Sequence, residues 1–446
     1  MRSSGIESAL PQPERPLANR DFRLLFSGRC VSLLGDGAFL VALAWQAYTL
    51  SNAPTALSLL GIAMSVPLIV LLLFGGVVSD SHDRRRVMLS ADVSRAVLLT
   101  LLGVLAASGA LRLWHMVVIV ALYGGAQAFF DPASDAIVPE ILRGAQLGRA
   151  NALEQVARPL ALRLVGPALG GVVVGTLGAG AAFIADAGTF LFSATMLWSM
   201  SSRRVAAVES AVEEMVGESL TAVPELAAAE GSSTWRQIRE GWSYVRRHVW
   251  LWGTFASAGI AYLLFMGPAE VLLPYMVKHE LHGGGAQLGL VLGAGGLGSV
   301  ACALSMIRSG LPERRMTFIY MAWTVATLAV AGYGLATAMW QLMLASLAFN
   351  LLETAGTIVW ATMKQEQVPG ALLGRVSSLD WLISIGLLPV SFALTAPLSA
   401  TLGVRTTLIV AGLAGAAATL GGLLLPGMRA LDEPGESVAG EHVALV

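Results

Sequence analysis

Long uncharged apolar runs recur along most of this 446-residue chain. Each is long enough to cross a bilayer, which takes roughly 20 apolar residues as a helix. That overrides a length that would otherwise suggest about three soluble domains. In hydrocarbon a spanning segment must satisfy its own backbone N–H and C=O groups, so the expected fold is all-α. The composition agrees, at 55% hydrophobic and 13% charged residues, with a mean hydropathy of +0.70. Both values lie outside the soluble range. The first 20 residues are polar and proline-containing, so no cleavable signal peptide is expected. Cys30 and Cys302 both lie inside apolar runs and lack metal-ligand spacing, which makes them core residues.

Apolar runs read against breakers predict twelve helices near 24–50, 55–79, 87–108, 113–136, 149–177, 181–201, 249–275, 286–308, 316–337, 339–362, 376–400 and 404–425. Six precede residue 202 and six follow residue 248. The predicted organisation is an N-terminal segment (1–23), a six-helix bundle (24–201), a linker (202–248), a second bundle (249–425) and a tail (426–446). Arginines set the orientation, because Lys and Arg stay on the cytoplasmic side. Even-to-odd connections carry Arg84, Arg85, Arg86, Arg143, Arg203, Arg204, Arg236, Arg239, Arg246, Arg247, Arg308, Arg314, Arg315 and Lys364. The opposite set carries only Arg112, Lys278 and Arg405. Both termini are therefore expected in the cytoplasm, with the chain in a bacterial inner membrane.

The linker has two parts. Residues 205–232 hold Glu209, Glu213, Glu214, Glu218, Glu225 and Glu230 without a basic residue, and read as a flexible acidic stretch. Trp235, Ile238, Trp242, Val245 and Val249 then recur at helical spacing opposite Arg236, Arg239, Arg246 and Arg247. This predicts an amphipathic helix over 233–248, lying in the cytoplasmic headgroup layer against anionic lipid, with protein docking as the alternative.

An internal repeat links the halves. Leu147-Gly148-Arg149 precedes Leu153-Glu154, and Leu373-Gly374-Arg375 precedes Leu379-Asp380 at the same spacing; residues 149 and 375 stand 226 apart. Asp83-Arg84-Arg85 and Glu313-Arg314-Arg315 match between helices two and three and between eight and nine, with 83 and 313 standing 230 apart. Duplicated parallel bundles place a substrate site between them at mid-membrane and alternate access by rocking.

Gly75-Gly76-Val77-Val78-Ser79-Asp80, with Asp83-Arg84-Arg85-Arg86 behind it, resembles the loop-2/3 signature of the major facilitator superfamily. The surrounding pattern comprises Asn19-Arg20-Asp21-Phe22-Arg23, Gly35-Asp36, Asp92 with Arg95, Asn151, Gly166-Pro167-Ala168-Leu169-Gly170-Gly171 and Phe183-Ile184-Ala185-Asp186. It is similar to the branch holding enterobactin-type siderophore exporters and macrolide-efflux proteins, from about residue 19 to 425. The resemblance implies a secondary transporter of twelve helices in two pseudo-symmetric bundles. It also implies a cytoplasmic gate in which Gly76 and Asp80 latch helix two against helix eleven, where Arg375 and Asp380 begin. Arg84, Arg85, Arg149 and Glu154 belong to the same gate. Ser81 stands where the family usually has a basic residue. Gly166, Pro167, Gly170 and Gly171 resemble the proline-glycine kink associated with antiporters; proline removes a backbone hydrogen bond and glycine permits close packing.

The fold so implied lines its central cavity with helices one, four, seven and ten, which carry Asp36, Asp131, Glu270 and Glu353. Ionised groups in a membrane normally pair or line a cavity, so these acids are the candidate proton-responsive groups, with Asp36 and Glu353 foremost. Asp36 could instead pair with Arg29 or with a neighbouring helix, and Asp131 could mark a helix end before Pro132. Helix four has Gly124-Gly125-Ala126-Gln127-Ala128 where many drug/proton antiporters carry an arginine. Proton antiport then rests on the acids, with Arg158 and Arg163 of helix five as substitutes or as partners of Glu154 and lipid. Gln46, Tyr262 and Asn350, with Trp45, Phe265 and Trp360, suit a bulky amphipathic molecule, though each alone also suits the core or the lipid face.

No phosphate-binding glycine loop, zinc spacing or nucleophile elbow is present in the sequence. His279 and His282 fit a solvated loop better than a metal. The sequence therefore predicts no enzyme activity, cofactor, metal or nucleic-acid partner. It predicts export of a small amphipathic compound, with the proton as coupling ion, lipid as surroundings and a monomer sufficient. Uptake or facilitated diffusion of a metabolite, and a non-transporting sensor built on the same fold, remain the alternatives.

Overall fold

Asn19 starts the membrane domain by capping its first helix, its side-chain oxygen accepting from the backbone N–H groups of Asp21 (3.0 Å) and Phe22 (3.3 Å). The same side chain donates to the Ile141 carbonyl (3.2 Å), joining the start of span one to the end of span four. The computed structural model describes residues 16–142, 145–200 and 234–432. The acidic stretch 205–232, Arg143 and the last residues of the predicted tail lie outside them.

Among the described residues twelve helices are long and apolar enough to cross a membrane. Spans one to four are Arg20–Leu50, Pro54–Ser81, Arg84–Ala107 and Leu113–Ile141. Span five runs through three consecutive helical pieces, Ala145–Arg158, Pro159–Val165 and Gly166–Leu177, and span six is Ala179–Trp198. Span seven is Val249–Tyr275, continued by a π-helical turn over Met276–Glu280, and spans eight to ten are Gly285–Ser309, Arg315–Leu335 and Met339–Gln367. Span eleven comprises Gly370–Gly386 and Leu388–Leu402, and span twelve is Val404–Leu423. The same left-handed glycine turn separates the last two spans of each half, at Gly178 and Gly403, both with φ 84°. Such a backbone strains any residue with a Cβ, so the duplication read from the sequence extends to these turns.

Apolar side chains such as Phe74, Val97, Leu122, Ile307 and Leu335 face outward, as a lipid-exposed surface requires. The interior is instead built on small residues, because helices in lipid gain stability from close packing rather than from escaping water. Gly37 of span one meets span five where a Cβ would lie 2.7 Å from the Leu162 carbonyl and 2.9 Å from Gly166 Cα.

Span five differs from the sequence expectation in one respect. Its distortion is a π-helical segment over Pro159–Val165, directly ahead of Gly166-Pro167. Pro159 lacks an N–H and opens that segment, while Pro167 sits in the first turn of the helix that follows, where proline is tolerated. Such π-segments often occur at functional sites.

The amphipathic segment forms a helix over Thr234–Arg247; the side chains of Trp235, Arg236 and Ile238 lie outside the described residues. Docking positions its described part. Val245 is fully buried, Tyr244 donates to the Gln367 carbonyl (3.3 Å), and Arg375 of span eleven pairs with Glu240 (2.6 Å). Trp242, Arg239, Arg246 and Arg247 stay on its exposed face. The helix is thus attached to the C-terminal half by one face.

The start of the predicted tail is also tied down. Asp432 caps span nine, its carboxylate accepting from the N–H groups of Met316 and Thr317 (both 2.8 Å) and from the Thr317 hydroxyl (2.7 Å). Replacing Asp432 with alanine is expected to cost about 1 kcal/mol of stability. A lowered melting temperature of the purified protein checks this; an unchanged one counts against the cap.

Candidate functional site

The two halves close against each other at the end of the bundle remote from the start of span one. There the Tyr48 hydroxyl of span one donates to the Val271 carbonyl of span seven (2.6 Å). Lys278 Nζ donates back to the Tyr48 carbonyl (2.6 Å) and the Thr49 hydroxyl (3.1 Å), and lies 4.8 Å from the centre of the Trp45 ring. Spans five and eight approach until a Cβ on Gly171 would sit 2.6 Å from Gly289 Cα. Gly61 of span two faces the Phe392 ring of span eleven in the same way.

Inward of this closure lies a cavity of about 510 Å³ that both halves line. Its walls are mainly apolar, with Leu40, Leu43, Met64, Met266, Leu292, Phe349 and Phe392 among them. Its polar groups are few and include Arg163 from span five, Tyr262 and Glu270 from span seven, and Asn350 and Glu353 from span ten, with Ser65, Tyr333 and Ser346 as the remaining hydroxyls. Arg163 reaches across the halves to Glu353 (3.4 Å) and Asn350 (3.5 Å). The π-segment of span five carries Arg163, so the local distortion and the cavity's one arginine fall together. A cavity of this size, apolar with a few convergent polar groups, is the usual form of a small-molecule site.

Of the seven predicted pathway residues, Glu353, Glu270, Asn350 and Tyr262 face this cavity. Asp36, Asp131 and Gln46 are not among its lining residues, and span four contributes none, contrary to the expectation that spans one, four, seven and ten line it. Asp36 instead accepts a hydrogen bond from the Tyr123 hydroxyl, and Gln127 donates to Asp131 (3.4 Å). The suggested Arg29–Asp36 pair does not form. Arg29 is held by Glu154 (2.7 Å), Asp135 (3.9 Å) and the Ser134 hydroxyl.

Among the described contacts, Arg84, Arg85 and Asp380 find partners in their own halves, and Arg375 meets the linker helix. Arg84 pairs with Glu140 and donates to the Ala136 carbonyl (3.1 Å); Arg85 donates to the carbonyls of Leu197 (2.7 Å) and Trp198 (2.6 Å). Asp380 accepts from Lys364 and from the Trp360 indole (3.0 Å), while Arg375 holds Glu240. Arg149 is exposed. Gly76 and the Asp80 side chain lie outside the described residues, so the predicted latch is not among the contacts seen. The neighbouring Gly75 packs on the Ala128 carbonyl of span four. In the kink, Gly166 meets Leu34 and Gly37, and Gly170 meets Ala38, so these glycines bring span five against span one.

Sequence reasoning missed Tyr48 and Lys278 as closing groups and Tyr123 as the partner of Asp36. None stands in a recognisable motif, and their partners are distant in the chain.

Two six-helix halves enclosing a central cavity define the class: this is a transporter of the major facilitator fold. The chain belongs to the transmembrane secretion effector family, which it matches over residues 12–443. It is 26% identical to the multidrug efflux pump Tap of Mycolicibacterium fortuitum, over 89% of this chain and 94% of that protein. It is 21% identical to macrolide efflux protein A of Streptococcus pyogenes, over 88% and 92%. Among solved structures, a bacterial homologue of the iron transporter ferroportin in its inward-facing state aligns with a TM-score of 0.62 at 16% identity, over 92% of this chain and 100% of that one. The nucleoside transporter NupG aligns at 0.65 and 11% identity, over 90% and 99%. At such identities these structures speak for the fold alone.

Proposed function

We propose that this transporter exports small amphipathic compounds, drug-like, macrolide-like or siderophore-like, by proton antiport with rocking alternating access. The observation that carries the reading is the mainly apolar cavity crossed by the Arg163–Glu353 pair, with Glu270 also facing it. Apolar walls give a bulky molecule contact area with few fixed hydrogen bonds. Two carboxylates against one arginine give the cavity charges that a proton can alter. A proton on Glu353 weakens its hold on Arg163, and with it a bond between the halves. The efflux proteins among its relatives support the export direction. The arginine distribution in the sequence supports placing both termini in the cytoplasm, so the closed end faces outward. The domain limits 24–201 and 249–425 stand as proposed rocking units.

The test uses the purified full-length protein in proteoliposomes with an acid interior and the membrane potential clamped. Ethidium is a permanent cation that a pH gradient alone does not trap. Its accumulation, abolished by collapsing the gradient, is expected. Equal movement without a gradient would point to facilitated diffusion. No movement across a broad panel of amphipathic compounds would favour the non-transporting sensor.

A further inference from the structure

The N-terminal half contains a buried charge cluster that the cargo cavity does not use. Asp92 of span three and Asp186 of span six are fully buried, and Arg95 is nearly so. Arg95 bonds Asp92 (2.5 Å), and its guanidinium lies 4.4 Å from the Phe130 ring centre and 4.3 Å from that of Phe190. Asp186 accepts from the Thr189 hydroxyl (3.0 Å) through Oδ1, and Gly35 leaves room for both groups by lacking a side chain. Asp36, the next residue, is half-buried and holds the Tyr123 hydroxyl, within electrostatic reach of Arg95 and Asp186.

The cluster is out of charge balance. Three carboxyl groups share one guanidinium, while Asp131 of span four and Arg158 of span five stand at the edge near Asp36 and offset each other. Three fully ionised carboxylates around a single arginine would be costly in a membrane interior. Oδ2 of Asp186 is buried without a hydrogen-bond partner among the described residues, while Asp92 has the Ser193 hydroxyl beside it. An orphaned buried carboxylate oxygen is where a proton is accommodated, since protonation removes the charge. Leu40, one helical turn beyond Asp36, lines the cargo cavity, and Gly37 packs on the distorted stretch of span five that carries Arg163. A change in charge at Asp36 therefore acts on the same helix that forms the cavity wall.

We propose that Asp36, Asp92 and Asp186, gathered around Arg95, form a proton-carrying site separate from the cargo cavity, with Asp36 as the group through which the proton enters and leaves. The cluster deepens the antiport reading and rests on it for its role in coupling. It adds an indirect route of coupling beside the direct one at Glu353, because the proton it carries and the cargo occupy different residues and communicate through span one.

The experiment reads protonation without cargo, so it can fail or succeed independently of the vesicle assay. Infrared difference spectra of the purified full-length protein are taken between acidic and alkaline buffer. The wild type should show protonated-carboxyl bands that disappear on alkalinisation. Asp36→Asn, Asp92→Asn and Asp186→Asn should each remove part of that signal, while Glu353→Gln and Glu270→Gln leave that part in place. Tyr123→Phe removes one hydroxyl with little risk to folding, and should shift the Asp36 band. Should the asparagine variants fail to fold, that shift decides the matter. An unshifted band in Tyr123→Phe, or titrating signal lost wholly with Glu353→Gln and Glu270→Gln, would overturn the proposal.

Discussion

Glu353→Gln is expected to reduce gradient-driven ethidium movement in proteoliposomes by roughly ten- to a hundredfold. That is the range set by a charged hydrogen bond contributing about 1.5–3 kcal/mol. Glu353 is about one-fifth exposed and holds Arg163 across the halves at 3.4 Å. Glutamine keeps the shape but cannot carry the charge, so Arg163 loses its ionic partner in every state of the cycle. The pH profile should flatten as well, which a purely structural role would not predict. Glu353→Asp should restore part of the pH dependence, and the melting temperature should stay near that of the wild type. Full antiport with an unaltered pH profile in Glu353→Gln would remove Glu353 from the mechanism.

The second large effect is expected at the closed end. Gly171→Leu places a branched side chain where even a Cβ would lie 2.6 Å from Gly289 Cα. Spans five and eight then have to separate. Overpacking of this kind costs roughly 1–3 kcal/mol, enough to shift an open–closed equilibrium by about five- to a hundredfold. The check is a single cysteine at Ala44, in a background with Cys30 and Cys302 replaced by serine, probed from outside with a membrane-impermeant thiol reagent. Ala44 lines the cavity behind the closure and is buried in the closed form, so its labelling should rise steeply in Gly171→Leu. Unchanged labelling would mean that this contact does not control closure.

Both effects depend on pairings that cross the two halves, and the two halves differ in how much the chain itself discloses. The helices were legible because apolar runs of bilayer length have few other outcomes in lipid. The duplication was legible because Leu147-Gly148-Arg149 and Leu373-Gly374-Arg375 recur at equivalent places. The acids of spans seven and ten were found for a simple reason: a carboxylate in an apolar run needs a cavity or a partner, and Glu270 and Glu353 have the cavity. Asp36 looked the same in the sequence, yet its carboxyl faces Tyr123 within the N-terminal half. A helical residue's partner depends on the rotation of its helix, and small-residue contacts such as Gly37 on Gly166 set that rotation. The amphipathic helix was foreseen, but its docking needed Arg375 to meet Glu240, residues far apart in the chain.

The sequence by itself determined the solvent this chain folds in, the number of its spans and their division into two related halves. Hydrophobic length and repeated local motifs are one-dimensional quantities, and they survive folding unchanged. Only the tertiary structure decided which charges meet. It gave Arg163 to Glu353, Arg29 to Glu154 and Arg95 to Asp92, and left one set of acids in the cavity and another inside a bundle. Those pairings follow from how closely glycine-lined helices approach and how far they turn, which no residue's identity specifies alone.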